Sequence, residues 1–327
     1  MDMDYLLVLQ QFREATGNVL TPLMEFLSHS VEGLWPMLII CLVYWAFDRA
    51  TGRRIIGGYA GGIFLNGVLK LTFCVYRPWI RDARIEPFGD AKTGATGYSF
   101  PSGHSTRATA SYGGLAIWMR ERGHRIVAVL LWIAVAGVLF SRNYLGVHTP
   151  QDVIVGLVST LFSLWVVRRI ETWTDKDPKR DLYVMLGGLA ICAVACAYFI
   201  LKPYPLDYTS EGKLLVDPAS MLADSFGGVG FLGAYVVGRY FERRGFAFDE
   251  KLSFRPRLAC AIVALAPMVA WFQVAYPAIK AAFGKNVGNF VQFSVPVLYA
   301  MILVPLAMAL VAKVLEGHGA AKAVAQA

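Results

Sequence analysis

Long apolar runs, broken by short polar clusters, recur from one end of the 327-residue chain to the other. A helix needs about 20 predominantly apolar residues to cross the hydrocarbon core of a bilayer. Such runs fall at about 34–48, 55–76, 102–119, 126–141, 150–167, 183–201, 221–238, 258–279 and 290–312, the first and fourth being short. The pattern predicts an all-α, polytopic transmembrane helical bundle of about nine spans. Residues 3–30 read differently, because Arg13, Glu14, Glu25 and His29 sit among leucines. That mixture predicts an N-terminal amphipathic helix lying in the interface. The polar stretch Thr172–Asp181 separates the first five spans from the last four, and the Ala-rich tail from Gly317 is expected to fray. No repeat period or low-complexity stretch appears. The whole of 1–327 reads as a single membrane domain.

Composition agrees with lipid as the solvent, since only 17% of residues are charged and 56% are hydrophobic, whereas a soluble chain carries about 25% charge. Met1–Gly17 has acidic and amide residues where a secretory signal needs a cationic region, and it lacks a small-residue cleavage site. The net charge of +8 would suit nucleic acid, but its placement argues against that partner. Nine crossings put alternate loops on opposite sides, and 19 of the 31 Lys and Arg then fall on one side, around Arg49–Arg54, Arg120–Arg125, Arg168–Arg180, Arg239–Arg257 and the C-terminus. By the positive-inside rule that side is cytoplasmic. The N-terminus is then expected outside and the C-terminus in the cytoplasm. Cys41, Cys74, Cys192, Cys196 and Cys260 all lie within apolar runs, with no CxxC pair and no His at ligand spacing. They read as small buried hydrophobes, not as a metal or disulfide framework.

Three polar clusters fall where spans meet the outer face. Lys70 and Arg77-Pro78 close the second span, Pro101-Ser102-Gly103-His104 opens the third, and Ser141-Arg142, His148 and Asp152 bridge the fourth and fifth. The topology brings all three to one side of the membrane. Their residue types suit a phosphoryl group. Lys70, Arg77 and Arg142 supply positive charge, and the arginines can fork two hydrogen bonds to phosphate oxygens. Ser102 and Gly103 begin a helix, where free backbone N–H groups favour an anion. His148 and Asp152 are four apart on one helical face, so the carboxylate can accept the imidazole N–H and leave the other nitrogen free to attack. His104 is left to protonate the leaving oxygen. Each part also has a structural reading. The cations can be snorkelling interfacial residues. Thr149-Pro150-Gln151-Asp152 is a helix start in which Asp152 serves a capping box. Ser102-Gly103 can be a bare helix start, and an isolated interfacial His is commonly structural. The joint pattern favours chemistry.

These clusters resemble the three signatures of the type 2 phosphatidic acid phosphatase superfamily, which includes vanadium haloperoxidases and glucose-6-phosphatase. The resemblance spans about residues 60–165. It implies that His148 forms a phosphohistidine, that Asp152 orients it, and that His104 acts as acid and then as base. Lys70, Arg77, Ser102, Gly103 and Arg142 would hold the phosphate, with no metal and no cofactor required. It also implies a catalytic core at 55–168, followed by additional C-terminal transmembrane helices at 183–313. The outer N-terminal helix, nine spans and cytoplasmic C-terminus look more like glucose-6-phosphatase and the sphingosine-1-phosphate phosphatases than like shorter six-span members, and Asp217-Pro218-Ala219 echoes that layout.

The expected function is hydrolysis of a lipid phosphate or diphosphate at an extracytoplasmic site, with membrane lipids as surroundings. The alternatives are a soluble phosphomonoester such as a sugar phosphate as substrate, or phosphotransfer between lipids. A transporter would show paired broken helices at the midplane and would have no use for His148 and Asp152 beside His104. The absence of an Asn-x-Ser/Thr sequon favours a bacterial plasma membrane. His29, His124 and His318 read as structural or solvated. Arg107 faces either the site or a neighbouring helix. Arg81, Asp82, Arg84 and Glu86 lie in the long outer loop 79–100, which either covers the site or merely links two spans. Asp224 is an intramembrane acid with a helix-start reading and a functional one.

Overall fold

The computed structural model describes residues 2–92, 95, 97–244 and 252–325, the backbone alone at 90 and 316–325. His318 is outside the described side chains. Among the described residues the fold is all-helical, with no strand beyond an isolated bridge between Tyr208 and Leu214. The helices are α1 (Asp2–Ala15), α2 (Thr21–His29), α3 (Trp35–Leu42), α4 (Arg49–Phe73), the single turn α5 (Pro78–Arg81), α6 (Gly103–Ala108), α7 (Gly114–Glu121), α8 (Arg125–Tyr144), α9 (Pro150–Thr174), α10 (Arg180–Leu201), α11 (Pro218–Arg243), α12 (Phe254–Ala270), α13 (Tyr276–Leu298) and α14 (Val304–Ala325). The residues expected to fray continue α14 to Ala325, as alanine's helix propensity favours.

Six stretches are long and apolar enough to cross a membrane by themselves: Arg49–Arg81, Arg125–Tyr144, Pro150–Thr174, Arg180–Leu201, Pro218–Arg243 and Phe254–Leu315. The last of these is not one rod. Gly284 has φ +83° and interrupts the helical backbone, a conformation that glycine adopts without steric cost. The chain reverses there. The Trp271 indole donates to the Gln292 carbonyl at 3.2 Å, and the Tyr276 hydroxyl donates to Asn289 at 3.3 Å. These pairs place two antiparallel arms over the two expected spans 258–279 and 290–312. Trp35–Phe47 is apolar but shorter. The third expected span is α6 and α7, joined by a π turn at Thr109–Gly113.

The helix starts follow local polar signals. Asp48 caps α4 by accepting from the Thr51 N–H at 3.0 Å, Asp217 caps α11 ahead of Pro218, and Thr149 with Asp152 forms a reciprocal capping box at α9. In lipid there is no hydrophobic drive between helices, so close packing depends on small residues. Here α11 is wedged between α4 and α13. A Cβ at Gly228 would lie 3.1 Å from the Ile63 carbonyl oxygen, and one at Gly230 would collide with the Phe290 carbonyl.

At the ends of these helices a buried ion network ties both halves of the chain together. Arg53 donates to Glu171 of α9 at 2.8 Å and to Glu242 of α11 at 3.0 Å, Arg54 also pairs with Glu171, and Arg49 pairs with Glu242. Asp181 of α10 accepts from Arg239 at 2.7 Å and from Arg243 at 3.0 Å.

The N-terminal segment is two helices, parted where Gly17 and Asn18 take positive φ. Both pack on α8. Arg13 is buried and donates to the carbonyls of Tyr144 (3.1 Å) and Glu86 (3.0 Å), with its guanidinium 5.3 Å from the Phe88 ring centroid. This arrangement pins α1 to the 79–100 loop and to the turn that precedes His148.

Candidate active site

Lys70, Arg77, Gly103, His104, Arg142 and His148 line one cavity of about 300 Å³, together with residues of α11 and α13. The three sequence clusters therefore meet. Backbone contacts join them directly, since the Ser102 N–H donates to the Asp152 carbonyl at 2.9 Å.

His148 follows the tight turn 145–147, where Gly146 has φ +75°. It is 2% exposed. Its Nδ1 lies 3.2 Å from Asp152 Oδ2. The same carboxylate oxygen accepts from the Thr149 N–H at 2.8 Å and from the Ser99 hydroxyl at 2.5 Å. The capping function and the orienting function thus coincide in one side chain. Arg77 Nη1 lies 2.9 Å from His148 Nε2. A guanidinium only donates, so Nε2 must present its lone pair and Nδ1 must carry the proton. Burial, and next the Arg77 charge, push the His148 imidazolium well below its ordinary pKa. The ring is neutral, and its Nε2 lone pair accepts from Arg77 at the cavity.

The cations are braced by backbone. Arg77 also donates to the carbonyls of Gly97 (2.9 Å) and Val147 (3.0 Å). Lys70 donates to the Tyr98 carbonyl at 3.0 Å and the Pro101 carbonyl at 2.9 Å, leaving one of its three N–H donors. Arg142 donates to the Ser28 hydroxyl at 2.5 Å. Ser102 is fully buried and uses its hydroxyl to accept from the Ser105 N–H at 3.4 Å, while Gly103 faces the cavity. Arg107, one turn beyond His104, lines the cavity too, and its guanidinium makes no hydrogen bond or ion pair with the described residues. Arg81, Asp82, Arg84 and Glu86 do not line it. Arg84 pairs with Asp82 and Arg81 with Asp2. Among the described residues of the 79–100 loop, Ala95, Gly97 and Tyr98 line the cavity. Among the described residues no three His, Cys, Asp or Glu side chains cluster as a metal ligand set.

Two residues of this site escape a reading of the sequence. Ser99 holds Asp152, and its closeness to Pro101-Ser102-Gly103-His104 is the sole local hint. Glu32 is the other. Its Oε1 lies 2.6 Å from His104 Nε2 and its Oε2 lies 2.8 Å from His29 Nδ1. The His104 hydrogen bond, helped by His29, holds the Glu32 carboxyl down to about 2. His29, read as structural or solvated, thus partners Glu32. Nothing in the local sequence links residue 32 to residue 104.

Residues 51–176 match the model of the PAP2 superfamily. Phosphatidylglycerophosphatase B of Escherichia coli K12 is 42% identical over 81 residues, which are 24% of this chain and 29% of that protein. The undecaprenyl-diphosphatase of Sulfolobus acidocaldarius is 29% identical over 138 residues, 42% of this chain and 64% of that protein. Human sphingosine-1-phosphate phosphatase 2 is 24% identical over 224 residues, 67% of this chain and 53% of that protein. The chain spans less than two thirds of the length of each of these curated relatives. No solved structure matches the chain significantly.

Proposed function

With residues 51–176 forming a PAP2 superfamily segment, we propose that the chain is an integral membrane phosphatase that hydrolyses a lipid phosphate or diphosphate through a phosphohistidine. The observation that carries this reading is the meeting of a neutral, carboxylate-oriented His148 with His104 and three braced cations around one cavity. The Nε2 lone pair of His148 attacks phosphorus, so an N–P bond forms as the ester P–O bond breaks. Asp152 accepts the Nδ1 proton's hydrogen bond and stabilises the charge that develops on the ring. His104 gives its proton to the leaving oxygen. It then takes a proton from water as the water attacks phosphorus, which releases inorganic phosphate and restores His148. Lys70, Arg77 and Arg142, with the backbone at Gly103, hold the phosphoryl oxygens as charge builds in the transition state. On this reading 55–168 is the catalytic core and 183–313 completes its wall, within one membrane body. The names of the relatives support a lipid substrate. The lysine and arginine asymmetry supports a multi-pass membrane protein with an extracytoplasmic site, N-terminus outside and C-terminus inside, and the lack of an Asn-x-Ser/Thr sequon favours a bacterial plasma membrane.

The test is phosphate release by purified protein in detergent from lipid monophosphates, lipid diphosphates and sugar phosphates, with and without an added alcohol as acceptor. Release from the lipids alone is expected, His148→Ala abolishing it, and it should persist in excess chelator because the protein's own cations meet the phosphate charge. Full turnover by His148→Ala, or loss in chelator restored by magnesium, sinks the mechanism. Turnover confined to sugar phosphates, or label appearing on the alcohol, replaces the substrate or the reaction type.

A further inference from the structure

The cavity does not end at the three clusters. Its far wall is made by α11 and α13 and includes Asp224, Asn289 and Gln292. This wall is built and not incidental. Lys280 Nζ donates to the Tyr276 hydroxyl oxygen at 3.2 Å, that hydroxyl donates to Asn289 Oδ1 at 3.3 Å, and Asn289 Nδ2 donates to Asp224 Oδ1 at 2.9 Å. An ammonium only donates, so each donor and acceptor in the chain is fixed in turn. The relay ends on a carboxylate. Asn289 is buried with both ends of its amide used. Asp224 Oδ2 and the side-chain amide of Gln292 make no hydrogen bond with the described residues, yet both residues face the cavity. The wall reaches the site because glycines let the backbones meet. A Cβ at Gly67 of α4 would lie 3.2 Å from Ser225, the residue after Asp224, and one at Gly227 would lie 3.2 Å from the Asn289 carbonyl oxygen. Asp224 is exposed and lines the cavity, held through one oxygen by this relay and left with a second acceptor on the wall that Lys70, Arg77 and Arg142 also line. It has the chemistry to receive a donor.

Resting on the phosphatase reading, we infer that Asp224 and Gln292 form a second subsite that recognises a hydrogen-bond donor, a hydroxyl or an ammonium, on the substrate carbons nearest the phosphoester. A polar-headed lipid monophosphate such as an amino-alcohol or glycerol-type phosphate satisfies both ends of the cavity. A plain alkyl or polyprenyl phosphate satisfies one and leaves the carboxylate unpaired. A hydrogen bond to a charged group is worth about 1.5–3 kcal/mol, or roughly 10- to 100-fold in kcat/KM.

The test compares kcat/KM of purified protein for three monophosphates of equal chain length, a 2-amino-1-alkanol phosphate, a 1-alkylglycerol 3-phosphate and an n-alkyl phosphate. Wild type is expected to prefer one or both polar-headed lipids over the alkyl phosphate by about 10- to 100-fold. Asp224→Ala and the isosteric Asp224→Asn should each pull that ratio toward one, Asp224→Asn acting more strongly on the ammonium than on the hydroxyl. The ratio reads recognition even where a variant is less stable. A wild type without preference, or variants whose ratio equals that of wild type, overturns the subsite while leaving the phosphatase reading intact. A wild type that releases phosphate from none of the three overturns both.

Discussion

If Glu32 serves His104, replacing its carboxylate by the isosteric amide tests the acid half of the chemistry. In Glu32→Gln the imidazole loses the anion 2.6 Å from Nε2, and with it the stabilisation of the charged ring that must deliver a proton to the leaving oxygen. A hydrogen bond to a charged group contributes about 1.5–3 kcal/mol. The Glu32 side chain is 39% exposed, so water screens one side and the lower part of that range applies. At about 1.4 kcal/mol per tenfold, Glu32→Gln should slow turnover of an alkyl phosphate by roughly 10- to 30-fold. The assay is steady-state phosphate release with an alkyl phosphate and an aryl phosphate in parallel. An alkoxide needs the proton and a nitrophenolate scarcely does, so the aryl substrate should be slowed far less. The carboxyl, held near 2, stays ionised throughout any practical pH range, so the defect should persist at every pH assayed. Equal slowing of both substrates, or turnover at or above wild type with the alkyl phosphate, would refute the assignment.

Two further outcomes are expected elsewhere in the molecule. Glu242 is 1% exposed between Arg49 and Arg53, and removing one partner of a buried pair costs about 3–5 kcal/mol; thermal unfolding of Glu242→Ala in detergent should show a loss of that size, and a loss under about 1 kcal/mol would mean that the pair is dispensable. Single cysteines at Lys92 and Lys176, in a background lacking the five native ones, should divide by side in intact cells: an impermeant thiol reagent should label position 92 and spare 176, and the reverse labelling would invert the topology and point to a cytosolic substrate.

Much of this was legible in the chain because the strongest signals are local. A run such as 183–201 has one stable solution in lipid, since every backbone polar group must be satisfied within the segment. Thr149-Pro150-Gln151-Asp152 announces its own helix start, but His148 precedes the Thr149 cap, so its 3.2 Å contact with Asp152 is made from the turn before α9 and not along one helical face as the spacing suggests. What was not legible depends on approach between distant segments. Glu32 meets His104 because α2 lies on α8 and carries the following turn over the cavity. Arg13, which looked like the polar face of an interfacial helix, is instead buried against Tyr144 and Glu86. The expected spans 258–279 and 290–312 imply a reversal between them, but that it turns at Gly284 is seen only from its φ and from the pairs Trp271 with Gln292 and Tyr276 with Asn289 across it.

The C-terminal helices carry no signature residue, and taken from sequence alone they bear on architecture and not on substrate. Their contacts change that reading. At one end α11 is locked to α4 and α9 through Arg53, which bridges Glu171 of α9 and Glu242 of α11. At the other end the glycine contacts of Gly228 with Ile63 and of Gly67 with Ser225 draw α11 against the span that carries Lys70. Between those two anchors α11 forms part of the wall of the cavity that Lys70 and His104 line, and Asp224 faces the same space. The residues proposed for bond breaking come from α4 and the segment after it, α6, the end of α8, the turn before α9 and the first turn of α9, while the wall opposite comes from α11 and α13. On the proposed reading, bond breaking and choice of substrate reside on different helices.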